Sequence, residues 1–127
     1  MKKLDCTLYV ASNTNLEELR GEFVDFLKFP LTSISFISMP NYEISVRRND
    51  EYDQFSQKEF PDGFLYFKFI VDFGFNEGSS LEFCVQEVGK IVMWLWGKGT
   101  PAVASCDYED LLPNKGGYNN TNVPWVS

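Results

Sequence analysis

Two apolar stripes at helical spacing, each behind a helix-capping signal, alternate with runs of strand-like periodicity. The resulting order, strand–helix–strand–strand–helix–strand, predicts an α+β chain. Its expected form is a ferredoxin-like β-α-β-β-α-β sandwich, with an antiparallel sheet and both helices on one face. At 127 residues the chain is expected to form a single domain, 1–127, with an irregular C-terminal tail from about residue 111.

The first strand is read from 4–11, where Leu4, Cys6, Leu8 and Val10 alternate with Asp5, Thr7 and Tyr9. In 14–29, Thr14 and Glu17 have capping-box spacing, and Leu16, Leu19, Phe23, Phe26 and Leu27 form one helical stripe. Pro30 closes that helix, because it cannot continue the hydrogen-bond ladder. Ile34 and Phe36, then Tyr42, Ile44 and Val46, predict two linked strand segments around Met39-Pro40-Asn41. The polar stretch 50–63, ending in Pro61-Asp62-Gly63, is expected to be an exposed connection.

The run 64–75 is read as the longest strand, with Leu65, Phe67, Phe69, Val71, Phe73 and Phe75 on its apolar face. Ser79 and Glu82 repeat the capping spacing ahead of Leu81, Cys84, Val85, Val88, Ile91, Val92 and Leu95, with Gly97 as the stop. A last strand is expected in 101–108. In the tail, Trp125 is the residue expected to anchor onto the body.

Composition narrows the function. Twelve Phe, six Tyr and three Trp supply a core that is expected to stand without disulfides. The net charge of −7 argues against direct binding of nucleic acid or an anionic membrane, and favours a cationic partner. Histidine is absent, which removes the usual general base near neutral pH and the usual zinc ligand. Cys6, Cys84 and Cys106 are far apart with no C-x-x-C spacing, a pattern that suits a reducing, cytoplasmic setting. Cys6 and Cys84 fall on apolar faces as small hydrophobes, and Cys106, near an element end, is the more reachable thiol. No apolar run approaches the roughly 18 residues that a membrane span needs.

Short motifs dissolve on inspection. Gly97-Lys98-Gly99-Thr100 follows a helix rather than opening one, so it reads as a helix stop and not a phosphate loop. Asp107, Glu109 and Asp110 begin like a calcium loop, but Leu111, Leu112 and Pro113 occupy the next positions and no closing Glu follows. No metal, cofactor or catalytic residue is therefore expected, and the chain is not read as an enzyme. The acids instead sit beside tyrosines in two loops: Asp107, Tyr108, Glu109, Asp110 and Tyr118 in one, Asp50, Glu51, Tyr52 and Asp53 in the other. Charge with aromatic anchors is the make-up of a partner-binding surface.

In size, acidity, αβ layout and the run CDYEDLLPNKGGYN (Cys106–Asn119), the chain resembles immunity proteins of bacterial polymorphic-toxin systems, including contact-dependent growth inhibition. The resemblance implies a cytosolic protein that binds and neutralises a cognate toxin domain, often a nuclease. Nucleases attract phosphate and so tend to be basic, which an acidic inhibitor exploits. The alternative is a ferredoxin-like regulatory or oligomerising module that binds a small ligand or partner through its open sheet face, where Tyr9, Tyr66 and Ile70 are placed.

Overall fold

The computed structural model describes residues 4–127; the two N-terminal lysines, Lys2 and Lys3, lie outside the described residues. The chain is α+β. Its elements are β1 (Cys6–Val10), α1 (Leu16–Leu27), β2 (Phe36–Met39), β3 (Tyr42–Arg48), β4 (Phe69–Phe75), α2 (Leu81–Gly97) and β5 (Ala102–Ser105). The strands form one five-stranded sheet in the order β2-β3-β4-β1-β5, and every neighbouring pair is antiparallel. The segment around Met39-Pro40-Asn41 is a tight hairpin, with Met39 paired to Tyr42, so the sheet has one strand more than a four-stranded sandwich.

Both helices start one residue later than the capping spacing suggested. Asn15 caps α1, its Oδ1 accepting from the Glu18 amide at 2.8 Å, while its Nδ2 donates back to Glu18 Oε1. Ser80 caps α2 by accepting from the Phe83 amide at 3.1 Å. Each capping box has a second cap residue directly after the first, and the stripe selects the one that turns the helix onto the sheet. Helix α1 ends at Leu27, ahead of Pro30, because Lys28 turns left-handed at φ 66° and donates to Val24 O. Helix α2 closes over Gly99, whose φ of +80° places its amide on Trp96 O and the next amide on Leu95 O.

One face of the sheet meets the helices. Cys6, Leu8 and Val10 of β1, Ile44 and Val46 of β3, and Phe69, Val71 and Phe73 of β4 share a core with both helix stripes. Each such aliphatic or aromatic side chain contributes about 1.5–3 kcal/mol through removal from water. Trp94 joins the helices, its ring stacked on Phe26 at 4.4 Å and met edge-on by Phe23 at 5.0 Å.

The other face is half covered. A second, smaller core of Phe64, Phe67 and Val103, with Tyr9, Ala11, Trp125 and Val126 packed around it, seals the β1–β5 side. This cover changes the reading of 64–75. Strand β4 begins only at Phe69; residues Asp62–Tyr66 are a 3-10 turn, Leu65 is exposed, and Phe67 packs on the face opposite Phe69. The apolar alternation therefore changes phase between Phe67 and Phe69. The cause is Asn49, a buried polar side chain whose Nδ2 donates to Leu65 O and Phe67 O at 2.9 and 2.8 Å. Those carbonyls are thereby satisfied without a neighbouring strand.

The tail is packed rather than loose. Trp125 lies against Phe60 and Phe67 and its Nε1–H donates to Lys58 O, as expected of an anchor. Gly116 and Gly117 run along the free edge of β5, at φ +81° and +95°. A Cβ on Gly117 would meet the Trp96 ring at 2.8 Å and Ala102 O at 3.0 Å, so only glycine fits there.

Candidate functional site

The pairing of β1 with β5 builds the candidate site. Thr7 faces Ser105 at the end of that ladder. Beyond it the two chains leave the sheet side by side, carrying Asp5 on one and Asp107 on the other. The β5 chain then tightens: the Glu109 amide donates to Cys106 O, Leu111 to Tyr108 O and Leu112 to Glu109 O. Glu109 Oε2 in turn accepts from the Cys106 amide at 3.3 Å. This turn is held from below by Tyr108, which is buried in the main core and whose hydroxyl donates to Leu4 O at 2.7 Å. Burial, with the three thiols and Asp5 nearby, pushes that hydroxyl well above the usual tyrosine range.

The result is a shallow concavity of about 460 Å³ lined by Asp5, Ser105, Cys106, Asp107, Glu109 and Asp110. Four of its six lining residues are carboxylates. Asp5 Oδ1 accepts from the Phe75 amide at 3.2 Å, and Asp107 and Asp110 are exposed. Among the described residues none of the four is in an ion pair; the pairs present are Arg47–Asp72, Glu87–Lys90 and Glu22–Lys98. Each like-charged pair a few ångströms apart in water costs about 1 kcal/mol or less, so the cluster is tolerated and its field points outward. Under that field Cys106 is half-buried, with its thiol pulled below the ordinary range by the Cys6 side chain and the Tyr108 amide against the opposing burial and carboxylates.

Comparison with protein-family models, curated proteins and solved structures finds no match. Geometry alone therefore sorts the expected binding residues. Asp107, Glu109 and Asp110 come together and gain Asp5. Tyr108 faces inward and serves the fold. Tyr118 is exposed but lies elsewhere, its hydroxyl donating to Asp62 Oδ1 at 2.7 Å and its ring meeting Phe64 edge-on. That hydrogen bond raises its hydroxyl above the ordinary tyrosine value.

The loop acids Asp50, Glu51 and Asp53 sit at the opposite end of β1. Tyr52 lines a cleft of about 320 Å³ with Ala11, Lys68, Pro101 and Trp125. At a strand rise of about 3.3 Å per residue, the run from Asp5 to Ala11 that separates the two sites is roughly 20 Å long. Asp53 is taken up locally, accepting from the Phe55 and Ser56 amides at 2.8 and 2.9 Å. The cleft holds one cation, Lys68, whose Nζ donates to Thr14 O at 3.4 Å, and its lining has no thiol or carboxylate side chain. Among the described residues no group of Cys, Asp and Glu is arranged to hold a metal ion, and no helix is long and apolar enough to cross a membrane.

Asp5 is the site residue that the sequence reading missed. It stood out only as a polar position in an alternating run. Adjacency of the first and last strands, which the β-α-β-β-α-β order implies, was the available signal; the register that puts Asp5 beside Asp107 was not.

Proposed function

We propose that the protein is an immunity protein, which binds and neutralises a cognate toxin domain through the acidic concavity at the β1–β5 end. The observation that carries the reading is the convergence of Asp5, Asp107, Glu109 and Asp110 on one open surface without ion-pair partners among the described residues. A shallow acidic concavity suits a protruding basic side chain of a partner better than it suits a small molecule. A nuclease domain, basic because it must attract phosphate, is the partner class of matching charge. The action is non-enzymatic and cytoplasmic: the inhibitor masks the toxin's basic surface.

The scaffold fits this role as a ferredoxin-like unit. What supports that reading is the strand order β5-β1-β4-β3 together with α1 and α2, with β2 taken as an added edge strand. The rival reading, a regulatory module working through the open sheet face, has less surface to work with. Ile70 is buried and Tyr9 packs edge-on against Phe64 at 5.2 Å, leaving Tyr66 as the exposed member of the three residues that motivated it.

The test is protection of cells that express a cognate toxin domain, sought among the genes neighbouring this one. Joint substitution Asp107→Lys, Glu109→Lys and Asp110→Lys is expected to abolish protection while circular dichroism stays unchanged. Asp50→Lys with Glu51→Lys is expected to leave protection in place. Full protection by the triple variant would sink the assignment of this surface.

A further inference from the structure

The strand pairing that builds the concavity also opposes two thiols. The Ala11 amide donates to Pro101 O at 2.9 Å, so the bonded positions of the antiparallel ladder recur at Tyr9–Val103 and Thr7–Ser105. Continued one step beyond the last paired residues, the same register sets Cys6 opposite Cys106 at a non-bonded position. Cα atoms at such positions are about 4.5 Å apart, and their side chains project to the same face. That separation falls within the range of about 4.4–6.8 Å that a disulfide spans. Cys106 packs against the core that contains Cys6, and each of the two side chains shifts the titration of the other. Their exposures differ. Cys6 is buried in the sheet, whereas Cys106 lines the open concavity.

We propose that Cys6 and Cys106 are a reversible dithiol/disulfide pair, entered from solvent through Cys106 by exchange with a small disulfide. Cys106 thiolate attacks one sulfur of the oxidant RSSR, forming a mixed disulfide and releasing RS⁻. Cys6 passes its proton to that thiolate, and its sulfur displaces the second RS⁻ from Cys106. Two electrons and two protons thus leave the protein, and RSSR leaves as two RSH. The division of labour follows from the surroundings. The Cys6 S–H and the Tyr108 amide favour the thiolate at Cys106, while burial and the neighbouring Cys106 hold Cys6 protonated until the mixed disulfide has formed. Cys84, also buried in the same core, lies on α2 rather than in the ladder and takes no part.

The carboxylates around the entrance select the oxidant by charge. A cationic disulfide is drawn in and an anionic one is repelled, by about an order of magnitude in rate at low salt. The product ties β1 to the turn that carries Asp107, Glu109 and Asp110. This holds whatever the protein binds.

The experiment is incubation of the folded, reduced protein with cystamine or oxidised glutathione, followed by intact-mass measurement and peptide mapping without reduction. Expected is the loss of two hydrogens and a single cross-link joining the Cys6 and Cys106 peptides, reversed by dithiothreitol and unchanged in Cys84→Ser. Cys6→Ala is expected to stop at a mixed disulfide on Cys106, and Cys106→Ser to remain unmodified at Cys6. Relative to free cysteine, cystamine is expected to react about tenfold faster than oxidised glutathione, with the gap closing in high salt. No reaction, a cross-link through Cys84, or a wild-type protein that halts at the mixed disulfide would each overturn the pair. Equal normalised rates at low salt would overturn entry through the acidic concavity.

Discussion

Asn49 is buried with both amide hydrogens and one lone pair committed to backbone: Leu65 O, Phe67 O and the Glu51 amide. Substituting Ala removes the side chain and leaves those groups without their partner in a place water reaches poorly. At about 1–3 kcal/mol for each buried group left unsatisfied, Asn49→Ala is expected to cost about 3 kcal/mol, read as a lower urea midpoint. An unchanged midpoint would mean that 62–67 is held by its apolar contacts alone. Four residues on, Asp53 works in the same connection through charge. The Ser56 and Phe55 amides hold its carboxyl below the usual carboxylate value. Its folded pKa is thus lower than its unfolded one, near 3.9. The stability this gives is complete above the unfolded value and is lost as pH falls through the folded one. Asp53→Asn keeps an oxygen for the two amides but cannot titrate. The variant's stability is expected to fall less steeply with acid than the wild type's, as measured by urea unfolding at successive pH values from neutral down to about pH 2.

Among the elements, both helices were legible from the chain because a cap residue and an apolar stripe are local signals that agree with each other. Their starts moved by one residue because Asn15 and Ser80 each follow another possible cap. The start of β4 was not legible, since the phase change between Phe67 and Phe69 is imposed from Asn49, distant in sequence. The acidic run at 107–110 was visible as composition, whereas its union with Asp5 needed the β1–β5 register. The tail looked irregular because its work is done by backbone: Gly116 and Gly117 cover the edge of β5, where a side chain would collide with Trp96 and Ala102. Two glycines therefore respond in opposite directions to the same change. Gly117→Ala forces a Cβ into the Trp96 ring at a positive φ and is expected to cost about 2 kcal/mol. Gly21 lies within α1 with open space where a Cβ would go, so Gly21→Ala is expected to stabilise by up to about 1 kcal/mol. Thermal denaturation of the pair checks both signs, and a Gly117→Ala protein as stable as wild type would show that the tail does not need its contact with the β5 edge.

For the molecule as a whole, the excess of 18 Asp and Glu over 11 Lys and Arg sets a long-range field, while the Asp5–Asp110 concavity sets where that field is strongest at short range. These two contributions separate kinetically. Long-range attraction acts on the encounter and is screened over a Debye length of about 10 Å at 0.1 M salt and 3 Å at 1 M. Contacts that lose their water in the complex act on its lifetime. On the proposed function, association with a basic toxin domain is therefore expected to slow on the order of tenfold between low and high salt, with a smaller change in dissociation. Reversing Asp50 and Glu51, at the Ala11 end of β1 and away from the concavity, weakens the general field and is expected to slow association modestly without shortening the complex's life. Reversing Asp107, Glu109 and Asp110 adds the local loss: association slows further, its salt dependence flattens, and dissociation accelerates by tenfold or more, about 1.4 kcal/mol or above. Stopped-flow kinetics with the two variants separates these effects. If the Asp50/Glu51 variant dissociates faster and the Asp107/Glu109/Asp110 variant does not, the partner seats at the other end of the sheet, over Tyr52 and the cleft.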